Sequence, residues 1–350
     1  MAQVHNQLGS SRFINMCVAN LLVHVYLFAQ FPLFFSRFGD MTQAAPFVAS
    51  GLICFSIGMI LPGPFGAYML ERYKRKQLFL NSLIAFCAVS MAAFHLPEAW
   101  RCASPWLFGL EGAVYGLMQA AMGSTMVNDM LISAQRTKGD CFFGWAGRLG
   151  LPIGFAIGRW LIDLLPHEAV IWWSPVTLAV AYLLVAQTTV PVKAPVKMAV
   201  LTCDRFFLPS AWRTMLGLLP PAFLIGLAVG RFSGLWEYVA IAVGYGLAFT
   251  IQVFFGTMRM HFTRICTGYV LLVVSVALAL TAATPTLPSL LTSMLLLGMG
   301  CALTSANLLT HFVECSEHCQ RGTAQHTHLL VWSAAFALGF MAATGHLAWN

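Results

Sequence analysis

The sequence predicts an all-α integral membrane protein, with about eleven transmembrane helices in two pseudo-symmetric bundles. Three observations predict it. Of 350 residues, 59% are hydrophobic and 9% charged, where an ordinary soluble domain carries about 25% charged residues. So little charge cannot cover a surface that faces water. The apolar residues form runs of the length a span requires, about 20 residues. The basic residues collect in short loops on one side of these runs, where orientation signals are placed.

Taken in order, the runs predict helices over 13–35, 45–70, 77–96, 104–130, 141–165 and 169–190, then 212–230, 235–257, 265–283, 287–312 and 324–348. The first follows a polar N-terminus, MAQVHNQLGSSRF, without the features of a cleavable signal peptide. The second ends in the charged loop ERYKRK, and the fourth in QRTKGD. No connection is long enough for a folded soluble domain. The longest, about 191–211, contains Pro191, Lys193, Pro195, Lys197, Asp204 and Arg205. It divides the chain into a six-helix N-terminal bundle (1–190), a cytoplasmic linker (191–211) and a C-terminal bundle (212–350). The loop TMRMHFTR after the eighth helix is a weaker counterpart of ERYKRK, and CQRGTAQ after the tenth is a counterpart of QRTKGD. Internal repeats of this kind suggest a transporter whose site lies between the halves near mid-membrane.

Fourteen of the 19 Lys and Arg residues fall on one side: Arg12, Arg72, Lys74, Arg75, Lys76, Arg136, Lys138, Lys193, Lys197, Arg205, Arg213, Arg259, Arg264 and Arg321. Arg37, Arg101 and Arg231 fall on the other. This places the N-terminus in the cytoplasm, the protein in the cytoplasmic membrane and, with eleven helices, the C-terminus outside. The net charge of +7 is therefore an orientation signal. A nucleic-acid groove would interleave these bases with aromatics, which they lack. Most of the ten cysteines are scattered through apolar runs (Cys17, Cys54, Cys87, Cys266 and Cys301), as small buried hydrophobes are. Trp172, Trp173 and Trp236 fall where an outer aromatic belt is expected. No Gly-rich phosphate loop is present, so ATP does not drive the protein and no cofactor is expected.

The segment GPFGAYMLERYKRK, Gly63 to Lys76, resembles the signature between helices 2 and 3 of the major facilitator superfamily: Gly-Pro, a small residue, then Asp-Arg-x-Gly-Arg-Lys. Gly63, Pro64, Arg72, Arg75 and Lys76 match; Glu71 stands for the aspartate, while Ala67 and Lys74 replace glycines. The resemblance implies the major facilitator fold, a small-molecule substrate and a gating motif. Glu71 would face the positive N-terminus of a helix from the other half. Arg75 would reach Asp129 at the inner end of the fourth helix. Such a set holds one state and breaks when the halves rock. The plainer role of the four bases is orientation. The family usually has twelve helices, and eleven are found here before the chain stops at GHLAWN. A twelfth is either missing from this stretch or absent by nature, and absence by nature would favour a transporter-like partner subunit.

Ionisable residues at membrane depth are costly and mark candidate sites. Glu111 lies about seven residues into the fourth helix, roughly 10 Å deep. Burial favours its neutral form, which suits a proton carrier. Arg148 on the fifth helix is its expected partner. The family often has an arginine in the fourth helix, in the pattern Arg-x-x-x-Gly; here Phe108 holds that place before Gly112. Gly147, Gly150, Gly154 and Gly158, with Pro152, resemble the fifth-helix signature of the family's exporters, and close helix packing explains them equally well. His24, Gln30, Gln119, Gln252 and Asn307 could line a cavity or join helices by hydrogen bonds. His311, Cys315, His318, Cys319, His326 and His328 are metal-type donors, but their spacing matches no strong metal pattern, so this segment is expected as a polar loop and no metal is expected.

The function expected is secondary active transport of a small organic molecule, driven by protons or another ion, by a monomer in the lipid bilayer. Export is slightly favoured over nutrient uptake. No enzymatic activity is expected.

Overall fold

Where no water can reach the backbone, a chain must pair its own N–H and C=O groups, and an apolar run does so as a helix. The computed structural model describes residues 7–37, 41–96, 98–190, 199–202, 207–232, 234–255, 261–281, 286–317 and 320–344. Its helices are α1 (Ser11–Arg37), α2 (Met41–Ile60), α3 (Gly63–Arg72), α4 (Arg75–Phe94), α5 (Ser104–Ala121), α6 (Asn128–Met130), α7 (Arg136–Leu164), α8 (His167–Gln187), α9 (Trp212–Arg231), α10 (Leu235–Phe255), α11 (His261–Thr281), α12 (Leu287–Glu314) and α13 (Arg321–Ala343). None of the described elements is a strand. Among the described residues, eight helices are long and apolar enough to cross a membrane, or nine with the bent pair α2–α3 as one span. With α5, which carries Glu111 and Gln119, and α8, eleven rods stand where eleven apolar runs predict them.

The rods pair in a repeated pattern. In the first bundle α1 packs on α7, α2 on α5, and α4 on α5; in the second α9 packs on α13, α10 on α12, and α11 on α12. Each is the same first-to-fifth, second-to-fourth, third-to-fourth pairing. Glycine permits the closest of these approaches. A Cβ at Gly154 would lie 2.7 Å from the Val25 carbonyl oxygen, and one at Gly158 would lie 2.6 Å from that of Ala29. Gly226 on α9 and Gly339 on α13 meet the backbone of the facing helix in the same way. In lipid, such close backbone contact substitutes for a hydrophobic driving force. Large apolar side chains such as Phe254, Phe262 and Leu280 are exposed, while Glu111, Gln30 and His328 are buried within an otherwise apolar core.

Three expectations about the rods are corrected. The second helix is not continuous: α2 and α3 meet at 52°, because Pro62 and Pro64 lack backbone donors and their rings clash with the preceding turn. The fourth is interrupted by a π-helical segment, Met122–Val127, before α6. The fifth begins at Arg136, so Arg136 and Lys138, expected in a loop, lie in its first turn. Trp172 and Trp236 are exposed near helix starts at one end; the side chain of Trp173 lies outside the described residues. Cys301 is buried, but Cys266 is exposed on α11. Of the expected linker, residues 191–198 and 203–206 lie outside the described residues. Its described part is fastened: the Thr202 N–H donates to the Pro64 carbonyl at 3.0 Å, and the Leu208 N–H donates to Thr327 Oγ1 at 2.9 Å.

Candidate functional site

α1, α2, α5 and α7 of the first bundle and α12 and α13 of the second enclose a cavity of about 90 Å3. Its body is aromatic, with Phe28, Phe31, Phe55 and Phe336 among the walls; its polar side is built by Asn20, His24, Gln119, Arg148, Gln325 and His326. Among the described residues, no aspartate or glutamate lines it. The bundles touch around it. Phe28 meets Phe336 with ring centroids 6.1 Å apart, and Phe155 meets Tyr238 at 5.2 Å. Toward the other end Cys141 Sγ lies 3.1 Å from Thr310 Oγ1.

A hydrogen-bond chain ties the first bundle at this wall. Asn20 Nδ2 donates to the Phe143 carbonyl at 2.9 Å, and Gln119 Nε2 donates to Asn20 Oδ1 at 3.1 Å. His24 Nδ1 lies 2.8 Å from the Asn20 carbonyl, which can only accept, so Nδ1 carries a proton. His24 Nε2 then accepts from the Tyr115 hydroxyl at 2.8 Å. Across the cavity, Arg148 Nη2 donates to His328 Nδ1 at 2.7 Å, while His328 Nε2 faces the Ser305 carbonyl at 3.2 Å. Arginine cannot accept, so this arrangement assigns His328 as neutral. The guanidinium keeps its full charge.

Glu111 and Arg148 are not partners, which corrects the expected pair. Glu111 Oε1 accepts from Gln30 Nε2 at 3.1 Å, Ser90 stands next to the carboxyl group, and Oε2 makes no well-formed hydrogen bond. The physical reason is direction: Glu111 faces α1 and α4, whereas the Arg148 side chain runs across the cavity to α12 and α13. His24, Gln119 and Arg148 line the cavity, and Gln30 and Glu111 form a buried pair outside its walls. Gln252 and Arg148 line a second, smaller cavity. Asn307 is not a wall residue; its amide donates to Leu303 in its own helix at 2.6 Å.

The motif residues meet at the basic end. Pro64 occupies the first turn of α3, where its missing N–H costs nothing. Arg75 Nη2 lies 3.2 Å from Glu71 Oε1, and Arg75 Nη1 bonds Asp129 Oδ2. Lys76 Nζ donates to the carbonyls of Ala186 and Thr188, at 2.5 and 2.9 Å, at the negative end of α8. Arg72 is exposed.

Sequence reasoning missed Tyr115, Gln325, His326 and His328 as parts of the site. The segment expected as a polar loop belongs to α13 from Arg321 onward. One signal was present: Gly322, Gln325, His326, Leu329, Ser333 and Phe336 share one helical face, and all line the cavity. His318 and Cys319 lie outside the described residues. Among the described residues, no three His, Cys, Asp or Glu side chains converge as a metal site would require.

No family model matches this sequence, and no curated protein matches it. Its structure is similar to that of the human organic anion transporter MFSD10 (TETRAN), at a TM-score of 0.66 over 96% of this chain and 92% of that one, with 18% identity. The chain has the major facilitator fold. Within that fold the cavity lies between the two bundles, walled by rods from each. The Arg75 cluster lies at the turn between the second and third rods, where the family's motif is placed.

Proposed function

We propose that the protein is a secondary active transporter that carries a small organic molecule through the Arg148 cavity by alternating access. A membrane transporter is the function that the fold supports. The observation that carries the finer reading is the cavity itself, which is shared between two bundles that contact each other on either side of it. Two bundles rocking about such a cavity would open it to each face in turn.

The coupling ion is a proton, and Glu111 carries it. Its carboxyl is buried among Gln30 and Ser90 with no ion-pair partner among the described residues. A buried carboxyl in that position exists most cheaply as the neutral acid. The Glu71–Arg75–Asp129 cluster latches one state, with residues 1–190 and 212–350 as the moving halves and 191–211 as the linker between them. The protein works as a monomer in the cytoplasmic membrane, with its N-terminus in the cytoplasm and export as the favoured direction.

The test is proton flux in proteoliposomes, read with an internal pH dye against a panel of metabolites and drugs. Wild type should show substrate-dependent flux, and Glu111→Gln should abolish the proton signal. Proton flux retained by Glu111→Gln would remove Glu111 as carrier.

A further inference from the structure

Beside the main cavity lies a second one of about 20 Å3, between α7, α10 and α12. Arg148 lines both. Five of the residues that line it each hold a buried polar atom without a hydrogen-bond partner among the described residues: Trp145 Nε1, Arg148 Nη1, Tyr245 Oη, Gln252 Oε1 and Ser305 Oγ. Buried polar groups are almost always paired, and each exception calls for a cause. Five around one small void share a cause.

The chemistry of the set is one-sided. Indole and guanidinium nitrogens donate and never accept. The Tyr245 and Ser305 hydroxyls can turn to donate, and the Gln252 amide can flip to present its NH2. Arg148 bears a full charge, since its partner His328 is a neutral acceptor, and no carboxylate lies within ion-pair distance of it among the described residues. A positive charge beside a small space, among groups that can all donate, is complementary to a compact anion.

We propose that this pocket, formed by Trp145, Arg148, Tyr245, Gln252 and Ser305, binds a compact monoanionic group. Two sources supply that chemistry: a free halide, or the carboxylate end of an organic cargo whose apolar body lies in the main cavity. Only the second rests on the transporter reading. Binding there completes the hydrogen bonds of both bundles at once, because Trp145 and Arg148 come from α7 while Tyr245, Gln252 and Ser305 come from α10 and α12.

The test is thermal unfolding of purified protein in sodium sulfate at fixed ionic strength, the dianion being too large and too highly charged for the pocket, with added sodium chloride, sodium benzoate, sodium 1-naphthoate or neutral benzamide. An anion that binds should raise Tm by about 1–2 °C at about five times its Kd. Chloride alone active identifies the halide; benzoate or naphthoate active identifies the carboxylate end. Benzamide should give no shift. Arg148→Gln should abolish the anion shift. Tyr245→Phe removes only an unpartnered hydroxyl, so it should fold with unchanged Tm in sulfate alone yet weaken the anion about threefold to tenfold. The proposal is overturned if no anion shifts Tm up to 100-fold excess over protein and at about 50 mM, if benzamide matches benzoate, or if Tyr245→Phe and Arg148→Gln both respond as wild type does. Anion binding without flux of any compound would instead favour the partner-subunit reading and leave the site standing.

Discussion

Arg75 concentrates the chemistry of the motif in one side chain. It touches both Glu71 and Asp129, and its own side chain is 10% exposed while that of Glu71 is 3%. Removing the guanidinium leaves carboxylates facing each other with little water to screen them. Arg75→Ala should therefore lower Tm and loosen the basic end. In a background with the other cysteines replaced, Ser333→Cys on the cavity wall should label severalfold faster with a maleimide when Arg75→Ala is added; an unchanged rate would leave Arg75 with an orienting role alone. Lys76 acts on a neighbouring helix. It satisfies two terminal carbonyls of α8, so Lys76→Met should cost about 0.3–1 kcal/mol, seen as a small drop in Tm that added salt does not enlarge.

At the scale of helices, close packing decides. Gly154 sits where any side chain meets the Val25 carbonyl. Gly154→Val should separate α1 from α7 and destabilise the protein by about 1–3 kcal/mol, checked by thermal unfolding in detergent; Gly66, which has open space around it, should tolerate alanine. The rods were legible because hydropathy is a local property, and the position of Arg75 against Asp129 was implied by the resemblance of GPFGAYMLERYKRK to a family motif. The bend at Pro62 was signalled by its prolines and still read as a continuous helix, since apolar runs hide punctuation. The π-helical turn at Met122–Val127 has no local signal; it depends on how α5 meets α7 and α13. The partner of Arg148 was misassigned for a related reason. Depth along a helix follows from the sequence, but the direction of a long side chain across a cavity does not, and His326 and His328 were read with the polar segment before the last helix although they fall inside it.

Across the whole molecule, movement requires that contacts between the bundles break. Cys141 on α7 and Thr310 on α12 touch at 3.1 Å, a separation that suits a disulfide after modest adjustment. Thr310→Cys should form one with native Cys141 under mild oxidation, visible as a mobility change on gels. It should stop flux in proteoliposomes, and a reductant should restore it. Flux that continues through a fully formed crosslink would show that the two bundles need not separate there.

The last helix described, α13, carries the wall that faces Arg148, the partner of α9 and the hydroxyl that fastens the linker at Leu208. A ribosome makes it after all the others. While the chain is being inserted, the first bundle can close on itself, but α9 waits for its partner through the whole synthesis of α10, α11 and α12. The cavity between the bundles is therefore completed only when α13 arrives, and a nascent chain arrested before Arg321 presents the membrane quality-control machinery with a finished half beside an orphaned helix.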